Sequence, residues 1–150
     1  MRDQINEALK EAVKAKDSRK SSTLRLINAA IKDRDIAARS SDNTEGVSDD
    51  EILEILSKMV KQRVESAETY KQANRQELVD QELEEIEIIK SFLPRQLDED
   101  ESRAAVESVI NELQASGLKD MGRVMGKLKE RYTGQMDFGK VSSIVKDLLG

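Results

Sequence analysis

A chain of 150 residues has room for one ordinary domain or two small ones. Charged residues make up 37% of it and aromatic residues 3%, with a single proline, so Leu, Ile, Val, Ala and Met must supply the burial, a mixture that favours helix over sheet. There is no cysteine and no histidine, which excludes thiolate nucleophiles, Cys/His zinc sites and imidazole bases, and the net charge is −5.

Ile5, Leu9, Ala12 and Val13 recur at helical spacing and predict an amphipathic helix over residues 3–16. Asp17-Ser18 supplies a capping pair, and the stripe Leu24, Ile27, Ala30 and Ile31 predicts a second helix to about Arg39. Residues 40–47 have almost no apolar content and read as a loop. Ser48 opens Ser-Asp-Asp-Glu, a capping box with Glu51, ahead of a third helix carrying Ile52, Ile55, Leu56, Met59, Val60 and Tyr70. The pattern breaks at Asn74, a residue that tolerates the left-handed conformation ending a helix. A fourth helix with Leu78, Leu83, Ile86, Ile89 and Phe92 is expected to run to Leu93, before Pro94. Asp98 to Glu101 repeat the capping logic for a fifth helix, with Val106, Val109, Ile110 and Leu113, stopped at Gly117. Two short helices, over 121–131 and 138–149, complete the chain, the second capped by Asp137. The expected fold is all-α, with an N-terminal antiparallel multi-helix unit over 1–96 and a compact three-helix C-terminal unit over 97–150.

No apolar run approaches the roughly 20 residues needed to span a bilayer, and Met1-Arg2-Asp3-Gln4 lacks the apolar core of a secretory signal, so no membrane role is expected and the expected compartment is the cytoplasm. The charge is unevenly spread. Residues 1–39 carry ten Lys/Arg against six Asp/Glu, residues 40–101 seven against eighteen, and residues 117–150 seven against four. Phosphate binding depends on a local basic face and not on the total, so a basic C-terminal third remains open to nucleic acid.

Three stretches could carry chemistry. The acidic run Glu77, Asp80, Glu82, Glu84, Glu85 and Glu87 reads as a solvated helical face, with Glu82 and Glu85 on one side as a carboxylate pair in the sharper reading. Arg63, Glu65 and Tyr70, with Arg75 nearby, read as a structural polar network between the third and fourth helices. In Lys119 to Arg131, Gly122 and Gly126 stand four apart in a predicted helix, where each costs about 1 kcal/mol relative to Ala. They permit close approach of another backbone, a neighbouring helix or a nucleic-acid strand. Lys119, Arg123, Lys127 and Arg131 share a face beside them, and Lys129 and Lys140 complete the candidate nucleic-acid-binding set. No aromatic residues are interleaved, so RNA contacts would be to backbone and shape. No catalytic residue, metal or cofactor is expected.

Lys61-Gln62-Arg63-x-Glu65-Ser66, Tyr70, Ala73-Asn74-Arg75-x-Glu77-Leu78, Glu82-x-x-Glu85, Phe92-Leu93-Pro94-x-Gln96-Leu97 and Asp120-Met121-Gly122-x-Val124-Met125-Gly126 together resemble the YqeY-like proteins. The likeness covers essentially the whole chain. Asn74 stands where such proteins usually have glycine, which preserves the turn chemistry. YqeY-like proteins are similar to the C-terminal region of the B subunit of the glutamine-dependent aspartyl/glutamyl-tRNA amidotransferase, a carbon–nitrogen ligase. The resemblance implies a two-part helical fold that holds transfer RNA while a separate domain, absent here, does the chemistry. It also implies amidotransferase or aminoacyl-tRNA synthetase components as partners. The alternative is a protein-interaction module that binds no nucleic acid.

Overall fold

The computed structural model describes residues 1–39 and 46–150. Among them the aliphatic stripes form seven α-helices and no strand: α1 (Arg2–Lys14), α2 (Ser18–Arg39), α3 (Asp49–Gln72), α4 (Gln76–Lys90), α5 (Glu99–Leu113), α6 (Met121–Tyr132) and α7 (Phe138–Leu149), with a 3₁₀ turn at Leu118–Asp120 ahead of α6. The fold is all-α. Most of the loop expected over 40–47, residues 40–45, lies outside the described residues.

Short-range chemistry places most of the ends. Lys16 takes a positive φ of 58° after α1, and the Asp17 side chain then accepts the Lys20 N–H at 3.1 Å to start α2. The Ser48 and Asp98 capping boxes both form, and Asp137 accepts the Gly139 N–H at 2.9 Å. Asn74, with φ 57°, reverses the chain between α3 and α4.

Two ends differ from expectation. α4 stops at Lys90, because Phe92 and Leu93 turn back by hydrogen bonds to the Ile89 and Lys90 carbonyls, a tighter turn that precedes the proline restriction. α5 is ended by Gln114 in the left-handed region, φ 52°, whereas Gly117 is extended. A glutamine there carries no sequence signal, so the pattern points instead to the glycine three residues on.

The chain divides into two compact units, Met1–Leu93 and Pro94–Gly150. In the first, α3 and α4 form an antiparallel pair, α2 packs on α4 and α1 on α2. Its core is aliphatic, centred on the fully buried Ile5, Leu24, Ile27, Ile52, Leu56 and Ile89. Each such side chain contributes about 1.5–3 kcal/mol by leaving water. In the second unit Val106, Val109, Val124, Leu128, Val141 and Val145 interlock between α5, α6 and α7. Residues 94–96, which the expected division assigned to the first unit, make their hydrogen bonds within the second: Arg95 with Glu101, and the Gln96 side chain with the Gly134 carbonyl.

One polar latch closes the first unit. Arg2 forks onto Asp35 at 2.9 and 2.6 Å and reaches the Val47 carbonyl at 3.3 Å, while Asp35 also accepts the Val47 N–H at 2.9 Å. The start of α1, the end of α2 and the entry to α3 are thereby tied together. These bonds hold the Asp35 carboxyl at about 2, the Arg2 hydrogen bond being the largest cause and the Val47 N–H the next. A carboxylate with a depressed value stabilises fully above its unfolded value and loses that contribution as pH falls through the folded one. Asp35→Asn is therefore expected to unfold at lower urea than the native chain at neutral pH, with the gap narrowing below about pH 4 and closing near pH 2. A gap independent of pH would show that the charge plays no part.

The Ser57 hydroxyl is buried without a hydrogen-bond partner among the described residues. Removing an unsatisfied buried oxygen relieves its desolvation cost, so Ser57→Ala is expected to raise stability by about 1 kcal/mol in denaturant unfolding, against the usual loss when a polar group is deleted.

Candidate nucleic-acid interface

The buried side of α6 is set by Val124 and Leu128 against α5 and α7. With that side fixed, the helical phase divides the polar residues into two flanks. Arg123, Lys127 and Arg131 lie on one, and Gly122, Gly126 and Lys129 on the other, at i, i+4 and i+7.

The arginine flank is already engaged. Arg131 forks onto Glu112 of α5 at 2.6 and 2.7 Å, and its hydrogen bond holds the Glu112 carboxyl below, and the guanidinium above, their ordinary values. Arg123 pairs with Asp120 at 3.2 Å and donates to the Leu113 carbonyl at 3.2 Å. Asp120 is pulled below the usual carboxylate range first by the Ser116 N–H and then by burial-opposed attraction to Arg123 and Lys119. Lys127 reaches Glu130 at 3.8 Å. Of the six candidate cations, these three spend their charge inside the unit. The side chains of Lys119, Lys129 and Lys140 are exposed and make no hydrogen bond or ion pair among the described residues.

The glycine flank is open. A Cβ built at Gly122 or Gly126 would meet no atom within 4 Å, so neither glycine serves close packing inside the chain. Lys129 sits beside them one turn on, and Lys119 stands in the 3₁₀ turn just ahead of α6. Lys119 and Lys129 therefore flank the bare backbone, and Lys140 stands on α7.

The polar network expected from Arg63, Glu65, Tyr70 and Arg75 takes another form. Arg63 donates to Glu85 of α4 at 3.2 Å and to the Met59 carbonyl at 3.3 Å, with both side chains of the ion pair largely shielded. Glu65 and Arg75 are exposed and Tyr70 half-buried. Gln62, Glu65, Ser66, Thr69 and Tyr70 instead line an open depression of about 380 Å³ on α3. In the sequence Glu85 reads as part of the acidic run, paired with Glu82 on one face, and not with Arg63. Its partner lies 22 residues away across a helical turn, beyond the reach of any single-helix pattern. Glu82, next to it, has its carboxyl raised by burial and then by repulsion from Glu85, with Arg63 opposing. No group of side chains among the described residues is arranged to hold a metal ion, and no helix is long and apolar enough to cross a membrane.

Two compact units built only of helices among the described residues define the class, an all-helical module. Over residues 2–149 it matches the model of the Yqey-like proteins, and the chain belongs to that family. Among curated proteins it is similar to "Altered inheritance of mitochondria protein 41, mitochondrial" of Lachancea thermotolerans, 35% identical over 114 residues, covering 75% of this chain and 59% of the relative. The protein of the same name from Clavispora lusitaniae is 30% identical over 145 residues, 94% of this chain and 80% of the relative. The chain thus spans about three-fifths of the length of the first relative. These names overturn the expected cytoplasmic compartment, since the relatives are named as mitochondrial proteins. Mitochondrial import uses amphipathic, Arg-rich segments, and the composition of a folded domain does not report its compartment.

Glycine inside a helix with nothing packed against it is a pure cost to stability. Gly122→Ala and Gly126→Ala are each expected to raise the unfolding free energy by about 1 kcal/mol in denaturant titrations. A loss of stability at either site would mean that the chain itself needs the missing side chain there.

Proposed function

We propose that this chain is an accessory module that holds transfer RNA by its phosphate backbone through the open flank of α6, beside a catalytic partner of the tRNA-dependent amidotransferase type. The observation that carries the reading is the pairing of two unpacked helical glycines with lysine side chains that make no hydrogen bond or ion pair among the described residues. Bare backbone lets a strand come close, and Lys119, Lys129 and Lys140 supply mobile point charges for its phosphates. The amidotransferase association rests on the likeness to the C-terminal region of the amidotransferase B subunit, and the yeast relatives' names point to mitochondria as a setting for such a module.

The test is a salt titration of tRNA binding. Lys119→Ala with Lys129→Ala is expected to weaken binding and to make the slope of log affinity against log salt shallower by about 0.7–0.9 for each phosphate no longer neutralised. Arg123→Ala with Lys127→Ala is expected to change the slope less, because those charges are balanced by Asp120 and Glu130. Equal affinity and slope for the lysine variant and the native chain would defeat the reading.

A further inference from the structure

The α3–α4 pair has two sides. Ile52, Ile55 and Met59 of α3 turn one side into the core shared with Ile5, Leu24 and Ile27 of α1 and α2. The opposite side carries Val64 and Leu83, 52% and 50% exposed. Isolated apolar residues on a surface need no explanation, but these two are neighbours. The Arg63–Glu85 pair sets the register of the hairpin, and Val64 follows Arg63 while Leu83 precedes Glu85 by two residues. In antiparallel helices those phases bring both side chains to the same side at the same level. Along the same phase of α3 lies half-buried Leu53, while half-buried Val60 packs against the core and the Ser57 hydroxyl is itself covered, and Val79 and Ile86 of α4 are buried. Within the first unit α1 and α2 pack through the core on the other side.

We propose that this apolar strip is a docking groove for one amphipathic helix of a protein partner, with aliphatic residues on its buried face and Lys or Arg along its edges. A helix fits the groove between two antiparallel helices about 8–10 Å apart, in the geometry that bundles use. Charge selects the occupant. Glu68, one turn beyond Val64, and Asp80 and Glu87, one turn to either side of Leu83, border the middle of the strip, while Lys71 and Lys90 stand at its two ends. The segment from 40 to 101 carries seven Lys/Arg against eighteen Asp/Glu. A second copy of the chain would bring the same carboxylates against these, and an RNA strand would meet them with phosphates, so both are disfavoured relative to a basic helix. The proposal concerns the first unit and does not depend on RNA binding by the second.

The experiment uses the whole chain with methyl-labelled Leu, Val and Ile, titrated with a synthetic helical peptide of about 17 residues that has Leu at i, i+3, i+4 and i+7 spacing and Lys at the flanking positions. A second peptide has Glu in place of every Lys. The basic peptide is expected to shift the Val64 and Leu83 methyl signals and to bind at least about tenfold tighter than the acidic one, with the difference shrinking at high salt. Val64→Ser with Leu83→Ser, both at exposed positions, is expected to reduce basic-peptide binding at least about tenfold while leaving the thermal unfolding and tRNA affinity of the chain unchanged. Equal binding of both peptides, no binding, or shifts confined to other methyls would overturn the proposal. So would concentration-dependent self-association, or tRNA itself, shifting the same two methyls in place of the peptide.

Discussion

The α3–α4 pair of the first unit turns on one shielded ion pair. Its helices bring few large side chains and many charges, so the long α3–α4 pair cannot be sealed by apolar residues alone along its length. Arg63 and Glu85 solve this by meeting at 3.2 Å, with the guanidinium also donating to the Met59 carbonyl. Losing one partner of such a shielded pair leaves an uncompensated charge, which is far more costly than the pair is stabilising. The pair consequently acts as a register pin. It decides which residues of α3 face which of α4, and through that the apolar strip on one side and the core-facing side on the other.

The second unit divides its cations by chemistry. On α6 the arginines are held by carboxylates or a backbone carbonyl, with Arg131 forked onto Glu112, and Lys127 reaches Glu130, while Lys129, Lys119 ahead of the helix and Lys140 of α7 are left in solvent. The planar guanidinium loses little freedom when it forms two parallel hydrogen bonds, whereas an ammonium on a flexible stem gains little from one fixed partner. A net count of charges in residues 117–150 therefore overstates what a ligand can use on the arginine flank. It says nothing of the glycine flank, where the available charge lies.

The all-helical fold was legible because its signals are local. Aliphatic spacing, the boxes at Ser48 and Asp98, the Asp137 cap and the Asn74 reversal each act within a few residues, and each has its expected place in the structure. The ends at Lys90 and Gln114 escape a sequence reading because a tight turn and a left-handed glutamine have no compositional mark. The candidate sites were less legible for a related reason. A helical wheel shows which residues share a face, but the partners that decide their role, Glu85 for Arg63 and Glu112 for Arg131, come from another helix. Glycine spacing was readable, yet whether Gly122 and Gly126 served packing or an outside ligand depended on what lay opposite them, and none of the described residues does.

Positions that stability alone would fill differently are a physical guide to where a small module meets other molecules. Alanine would suit the solvent side of α6 better than Gly122 and Gly126 by about 1 kcal/mol each, and polar residues would suit the outside of the α3–α4 pair as well as Val64 and Leu83 do. The two departures have opposite character, one removing side chains beside free lysines and the other exposing aliphatic carbon beside carboxylates. A single ligand does not match both, because a polyanion is repelled by the second surface and an apolar basic helix finds no apolar area on the first. Two surfaces of unlike chemistry on one short chain match the two proposals, nucleic acid for the first and a protein helix for the second, and each can be changed without disturbing either core.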